Sequence, residues 1–424
     1  MGVMARILIH SLVFAPDGVS TAYLMTDLAR GLKRLGHEVT ILTTTPHYNI
    51  DPTALARQPL VKQGGLLRSE CDGIPVWHVP MPMKGDRVGA RMADYIKFHA
   101  RALLAPRTAL GDYDVVIAPS PPLTMGVVAW LLAARRGAPA VYNVQEIYPD
   151  FAANNGLIKN PLFLALLRRV ERFVYARSAA VVPISEWFAR TIAPRGIAPE
   201  KMRVIPNFVD TELYRPGPRA NQFAAEHGLT NDFVVLYGGN IGLSQDWDSW
   251  LYAAESLASL PIKFVVVGGG AREEWLRAEV RRRGLSNAMV LGYQPRERMP
   301  LINAASDIGT IPMKATTTQD TFPSKIYTIL ACARPAIVSA DADSELAWII
   351  DRAKCGRVVP PEDPRAYADA VRLAFEQRAT LPHEGERGRV FVEREYSKEA
   401  VALKYDQLVR DLLARQLTPA AATA

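Results

Sequence analysis

Short apolar runs alternate with longer amphipathic runs from one end of the chain to the other, a pattern satisfied by parallel strands covered by helices on both faces. In the first half the strand candidates are Ile7 to Val13, Val39 to Thr43, Val115 to Ala118, Ala140 to Asn143, Ala180 to Ile184 and Val204 to Ile205. Helical runs lie between them, such as Thr21 to Leu35 and Leu123 to Arg136, closed by Gly36 and Gly137. The second half repeats the habit, with strands at Phe233 to Tyr237, Phe264 to Val267, Val290 to Leu291 and Ile308 to Ile311. Helices follow at Trp247 to Leu257, Glu273 to Arg283, Arg296 to Ala305, Glu345 to Arg352 and Arg365 to Glu376. At 424 residues the chain exceeds what one core supports, so the pattern predicts α/β architecture in two facing doubly wound domains, 1–212 and 213–396. Pro and Gly in Asp210-Thr-Glu-Leu-Tyr-Arg-Pro-Gly-Pro-Arg219 break the pattern and mark the junction. A last helix, 397–417 with Ser397 as N-cap, is expected to return to the first domain, and 418–424 to form a frayed tail.

In such folds ligands collect at strand C-termini. The segment Asp320-Thr-Phe-Pro-Ser-Lys325-Ile-Tyr-Thr-Ile-Leu-Ala-Cys-Ala-Arg-Pro335-Ala-Ile-Val-Ser339 reads as loop, helix and buried strand, with Lys325 at the helix start and Ser324 as N-cap. A cation beside amides without intrahelical partners makes an anion site, because the dipole otherwise disfavours positive charge there. Two glycine-rich turns end neighbouring strands. Leu236-Tyr-Gly-Gly-Asn-Ile-Gly242 offers close backbone approach, and Val267-Gly-Gly-Gly270 precedes a helix; either also reads as a plain tight turn.

Hydrophobic content of 49% and a mean hydropathy near zero indicate a soluble globular protein, and no apolar run approaches the about 18 residues that span a bilayer. The start of the chain reads as a first strand without a cleavage site, so the expected location is the cytoplasm or the inner face of its membrane. Cys71, Cys332 and Cys355 have neither disulfide nor zinc spacing and read as buried thiols. The net charge of +7 concentrates in two amphipathic stretches. One carries Lys84, Arg87, Arg91, Lys97, Arg101 and Arg107, the other Arg168, Arg169, Arg172 and Arg177; each is either a solvated helix face or a surface for anionic membrane. No nucleic-acid motif accompanies them. Asp341-Ala-Asp343 reads as a solvated loop rather than a metal pair, Asp246-Trp-Asp248 as a helix start, and His10, His37 and His47 lack zinc spacing, so no metal is expected.

Several segments together resemble family 4 of the GT-B glycosyltransferases, in its WbuB-like branch for bacterial O-antigen, capsule and exopolysaccharide assembly. They are Phe14-Ala-Pro-Asp-Gly-Val-Ser20 with Leu28 to Thr43, Val144-Gln-Glu-Ile-Tyr-Pro-Asp150, Val204-Ile-Pro-Asn-Phe-Val-Asp210 with Tyr214-Arg-Pro, Tyr237-Gly-Gly-Asn-Ile-Gly242, Pro323-Ser-Lys-Ile-Tyr327, and Gly356-Arg-Val-Val-Pro-Pro-Glu-Asp-Pro364. The resemblance implies a hexosyltransferase-type enzyme without cofactor or metal, moving a sugar with retention from a nucleotide diphosphate sugar, UDP-linked, to a saccharide or lipid-linked acceptor. It assigns Lys325, Asp320 and Glu146 to catalysis. It assigns Gly239, Asn240, Gly242, Gly268, Tyr293, Lys325, Thr328 and Glu345 to the donor, and sets Gly18 and Val19 on the acceptor side. Lys325, the helix start and the Gly239 to Gly242 amides then face the charge of the departing diphosphate.

Three positions depart from the family pattern. Its members carry two glutamates eight positions apart, where this chain has Asp320 and Thr328; a hydroxyl grips ribose less firmly than a carboxylate. Asn240 stands where many relatives have arginine, and Gln145 near a place often held by histidine. Glu146 is the nearest remaining candidate base, with a capping role as the alternative. A nucleotide-sugar-binding but non-catalytic partner of an assembly complex is the second reading these departures allow.

Overall fold

In the computed structural model, which describes residues 4–48, 50, 52–82, 88–154, 158–317 and 322–417, two sheets form, one in each half of the chain. The first has eight strands: β1 (Arg6–His10), β2 (Glu38–Thr44), β3 (Val61–Gln63), β4 (Leu66–Cys71), β5 (Ile74–Val79), β6 (Val115–Pro119), β7 (Ala140–Val144) and β8 (Ala180–Pro183). Their order is β3-β4-β5-β2-β1-β6-β7-β8. The part from β5 to β8 is parallel and has the doubly wound order of two mononucleotide-binding halves, with its reversal between β1 and β6. The second sheet has β9 (Phe233–Gly238), β10 (Ile262–Val267), β11 (Ala288–Leu291), β12 (Ile308–Pro312), β13 (Ala336–Ser339) and β14 (Gly356–Val359), all parallel in the order β11-β10-β9-β12-β13-β14. That is the same topology, reversing between β9 and β12. The central strands are buried on both faces, as parallel strands under helices must be: every residue of β6, β7, β12 and β13 is buried.

Several elements were not expected, among them β5 and β14, each the outermost strand on one side of its sheet's parallel part. β3 and β4 extend the first sheet antiparallel to β5, through two-residue turns at Gly64-Gly65 and Asp72-Gly73. Asp72 and Gly73 have φ of 52° and 71°, the mirror-image turn that matches strand twist. A sixteen-residue helix, Leu381–Tyr396, fills a region without an expected element. Conversely Val204 and Ile205 form no strand; that segment runs beside β8 with one bridge, Val181 to Met202, before Pro206 ends the pairing.

The chain divides into two compact units, Met1–Asn207 with Val401–Ala424, and Phe208–Ala400. The limits expected at 212/213 and 396/397 differ by a few residues, because the segment after Asn207 is tied to the segment before Val401. Val209 bridges Ser397, and the Lys398 ammonium lies 3.0 Å from both Asp210 and Glu212. Ser397 caps the last helix, Lys398–Leu417, by accepting from the Ala400 amide. Within the first unit that helix meets His37 through Asp406 at 2.8 Å and Gly137 through Gln416 at 2.8 Å. All three cysteines are buried and free. Among the described residues no helix is long and apolar enough to cross a membrane. The expected tail at 418–424 lies outside the described residues.

Candidate active site

In the second unit the loops after β9, β10 and β12 gather at the sheet's reversal, and Lys325 opens the helix Lys325–Ala331 between β12 and β13. Its ammonium donates to the Tyr237 hydroxyl at 2.5 Å, stands 3.8 Å from the centre of that ring, and would lie 3.1 Å from a Cβ on Gly239. No carboxylate pairs with it among the described residues, and burial lowers its pKa to about 7. A desolvated cation with a hydroxyl and a ring face as its partners among the described residues has the chemistry to receive an anion.

The helix start contributes less than the sequence suggested. The helix has seven residues, Ser324 is already helical and its side chain caps nothing. The Ile326 and Tyr327 amides are bonded to the Pro323 and Ser324 carbonyls at 3.2 and 3.1 Å. The glycine turn is likewise mostly committed: the Gly239 amide goes to Val267, Ile241 to Gly269 and Gly242 to the Gln245 side chain, each at 2.9 Å. Only the Asn240 amide in that turn lacks a partner among the described residues. The expected row of Gly239 to Gly242 donors therefore reduces to one, and Lys325 dominates the local charge. Gly268, at φ 152°, passes so close to Gly239 that a Cβ would fall 1.9 Å from its carbonyl oxygen, so the two turns pack backbone on backbone. The Asn240 carboxamide fits against Gly242 and Gly270, where added Cβ atoms would meet it at 2.6 and 2.5 Å.

Thr328 donates its hydroxyl proton to the Lys325 carbonyl at 2.9 Å and so faces a ligand only as an acceptor. Asp320 lies outside the described residues. Glu345 begins the helix Glu345–Ala353, whose cap is Ser344, near the stacked pair Tyr327 and Tyr396, 4.4 Å apart. Burial first, and Glu345 among neighbouring charges after it, pushes both phenols up. Tyr293 is 80% exposed in the loop after β11. Asp246 caps the helix Trp247–Ser256 through the Ser249 amide at 3.1 Å, and Asp343 is exposed, as expected. Among the described residues no three His, Cys, Asp or Glu side chains come together as a metal ligand set.

In the first unit the corresponding strand ends belong to β1, β6 and β7. Glu146 follows β7; its amide bonds the Ser120 hydroxyl at 3.3 Å, and burial raises its carboxyl pKa to about 7. Gln145 is held in an amide chain, donating to Asn143 at 2.6 Å and Asn207 at 2.9 Å and accepting from Asn207 at 2.8 Å; its carboxamide, which does not ionise, has a structural place here and no acid–base one. Gly18 and Val19 lie in a pinned loop before the helix Ser20–Arg34: the Gly18 amide bonds Tyr48, and the Asp17 carboxylate accepts from the His47 and Tyr48 amides at 2.7 Å. Two histidines also stand here: His10, which the sequence brought up only as a zinc ligand without the right spacing, and His99, which it did not single out. His10 ends β1, donates through Nδ1 to Leu42 at 3.2 Å, and leaves Nε2 buried without a partner among the described residues. His99 bonds Thr124 at 2.7 Å and leaves its Nδ1 without a partner among the described residues. Burial holds both rings neutral, with pKa near 3 and 4. They are 89 positions apart, and no spacing connects them.

Residues 21–207 match the model of the Glycosyl transferase 4-like domain, and residues 232–377 that of Glycosyl transferases group 1. Together these span most of the chain, one in each unit. The chain belongs to glycosyltransferase family 4. This family 4 glycosyltransferase is 24% identical over 420 residues to the putative colanic acid biosynthesis glycosyl transferase WcaI of Escherichia coli, covering 96% of this chain and all of that one. It is 28% identical over 334 residues to D-inositol 3-phosphate glycosyltransferase 1 of Catenulispora acidiphila, covering 73% and 75%. Among solved structures, HepE of Anabaena in complex with UDP superposes with a TM-score of 0.71 at 16% identity, covering 96% of this chain and all of that one, which shows the GT-B fold.

Proposed function

We propose that the protein transfers a sugar from a UDP-linked nucleotide diphosphate sugar to a saccharide or lipid-linked acceptor in bacterial surface polysaccharide synthesis, with retention of configuration and without a metal. The observation that carries this reading is the buried Lys325 ammonium, free of any carboxylate partner among the described residues, at the reversal of a doubly wound sheet. As the bond between the anomeric carbon and the diphosphate breaks, charge grows on the leaving phosphate, and a desolvated ammonium stabilises it more than water does. The Asn240 amide adds one neutral donor, and Tyr293 an open ring face. In the first unit Glu146 takes the acceptor proton, its carboxyl being held near neutrality by burial. HepE was solved with UDP and with UDP-glucose, which supports the donor class, and the name of WcaI supports the polysaccharide setting.

Contact with an anionic membrane belongs to the same reading. In the first unit the helices Val88–Leu103 and Pro161–Arg177 both pack against Thr124–Ala134. The Val88–Leu103 segment exposes Ile96 with Lys97 and Arg101, and Leu104, just beyond it, is 80% exposed. The Pro161–Arg177 helix exposes Leu162 (81%) and Leu166 beside Arg168, Arg169 and Arg172. Lys84 and Arg87 of the first basic stretch lie outside the described residues. Apolar anchors ringed by arginine fit an anionic lipid surface, and cosedimentation with vesicles containing phosphatidylglycerol, lost on Leu162→Asp with Leu166→Asp, checks it.

The deciding experiment incubates the protein with a panel of nucleotide sugars and crude lipid-linked acceptor, with and without chelator, and reads the anomer of the product by NMR. Lys325→Ala is expected to abolish transfer while the protein stays folded. Full transfer by that variant removes the phosphate role. Donor binding by calorimetry without product from the parent protein selects the non-catalytic reading, for which the weakened ribose position at Thr328 is the structural motive.

A further inference from the structure

Lys325 is the first residue of a seven-residue helix, so its own helix does little to fix where the ammonium stands. What meets the ammonium is Tyr237 from β9. The tyrosine is fully buried, and its hydroxyl makes two bonds of 2.5 Å: it donates its proton to the Asn240 carbonyl and accepts from Lys325 Nζ. The first bond fixes the second. With its only proton committed to a carbonyl, the oxygen presents lone pairs alone toward Lys325, which suits an ammonium. The ring is fixed as well, edge-on to Trp247 at 4.9 Å, while the Trp247 indole N–H bonds the Gly242 carbonyl at 3.1 Å. Both ends of the turn from Asn240 to Gly242 therefore hang on these two aromatic side chains, and the same tyrosine holds the cation over Gly239.

We propose that Tyr237 is the positioning residue for Lys325, holding its ammonium against the Asn240 turn so that one cation and one amide face the donor diphosphate together. This rests on the phosphate reading of Lys325. It also accounts for how the site works without an arginine at position 240: a fixed lysine loses less rotamer freedom on binding than a mobile one, which recovers part of what a second cation would contribute.

Tyr237→Phe removes one oxygen and keeps the ring beneath the ammonium. Calorimetry with UDP on the parent, Tyr237→Phe, Lys325→Ala and the double variant closes a cycle, with uridine as a phosphate-free control. The phenylalanine variant is expected to bind UDP about tenfold more weakly, as for loss of a hydrogen bond to a charged group. Uridine affinity is expected to stay unchanged, and in the Lys325→Ala background the same substitution is expected to cost less than about twofold. Parent-level UDP affinity in Tyr237→Phe overturns the proposal. An equal loss in both backgrounds, or a matching loss for uridine, identifies a structural role in the turn and also overturns it, while leaving the phosphate reading intact. Parent-level UDP affinity in Lys325→Ala sinks the phosphate reading itself, and the positioning role falls with it.

Discussion

Lys325 and Glu146 ordinarily titrate far apart, and burial brings each to about pH 7 from opposite sides. Diphosphate binding needs the ammonium, which is present below its pKa in the free protein and lost as pH rises through about 7. Proton removal from an acceptor needs the Glu146 carboxylate, which is gained as pH rises through the same range. The kcat/KM of the protein is therefore expected to follow a narrow bell centred near neutrality. Bound diphosphate raises the Lys325 pKa, so the falling limb should move to higher pH in kcat. Glu146→Gln is expected to remove the rising limb and to lower kcat roughly 10²–10⁴-fold; a pH profile unchanged in shape would show that Glu146 only caps its loop. Stability runs separately. Because the folded protein holds Lys325 with a depressed pKa, the unfolded chain binds more protons between that pKa and the ordinary lysine range, and stability rises with pH there. Lys325→Met should thus be more stable than the parent at pH 7, on the order of 2 kcal/mol by urea titration, and inactive. Lys325 was legible in the sequence because a cation at a helix start runs against the dipole. Tyr237 was not, since a tyrosine within an apolar strand reads as core, and only the fold brings residues 88 positions apart into contact.

Among the elements, the helix Leu381–Tyr396 shows why a locally unfavourable segment can still be required. Gly385 and Gly388 weaken it as an isolated helix, which is why the sequence did not announce it, whereas Pro382 sits in the first turn, where proline is tolerated. Its glycines make sense only against the Lys325–Ala331 helix and the turn at Ala333 that ends it. A Cβ on Gly385 would fall 2.0 Å from the Ala333 carbonyl oxygen, and one on Gly388 would fall 2.8 Å from Leu330. Arg389 then donates to the Ala331 and Tyr214 carbonyls, both at 2.6 Å. The helix that begins with Lys325 is thereby held at its C-terminal end by a glycine face. Gly388→Val is expected to push these helices apart, to cost about 1–3 kcal/mol, and to weaken UDP binding although residue 388 touches no ligand; thermal melting and calorimetry report the two effects. Unchanged affinity together with lowered stability would disconnect this helix from the site. The β3–β4–β5 meander carried a signal that was readable, since Gly64-Gly65 and Asp72-Gly73 are two-residue turn pairs between alternating residues. The parallel strands other than β5 and β14 were found from their apolar runs, whereas those two were not, and the β9 turn showed its glycines but not that its amides were already bonded.

At the scale of the molecule, the two halves repeat one sheet topology but are not equivalent as folding units. The second is continuous, Phe208–Ala400, whereas the first needs Val401–Ala424 from the far end of the chain. Val401, Ala402, Tyr405, Leu408, Val409 and Leu412 of the last helix are buried, and Asp406 is tied to His37, itself buried and accepting from the Ala5 amide at the start of β1. Removing residues 401–424 deletes those side chains, uncovers the apolar surface of the first unit against which they are buried, and leaves His37 without its carboxylate. Burial of a single large apolar side chain stabilises by about 1.5–3 kcal/mol, so losing several uses up the lower part of the roughly 5–15 kcal/mol by which an ordinary domain is stable. A chain ending at Ala400 is therefore expected to show two separate unfolding transitions in calorimetry. The lower one should belong to the first unit and the upper, shifted upward by UDP, to the second. The fragment Phe208–Ala400 expressed alone should melt cooperatively and keep its UDP response, and that response should vanish with Lys325→Ala. A fragment that binds UDP without Lys325 would place the nucleotide's main contacts elsewhere in the second unit. A fragment that fails to fold would show that the sheet from β11 to β14 is not self-sufficient, despite a topology and core of its own.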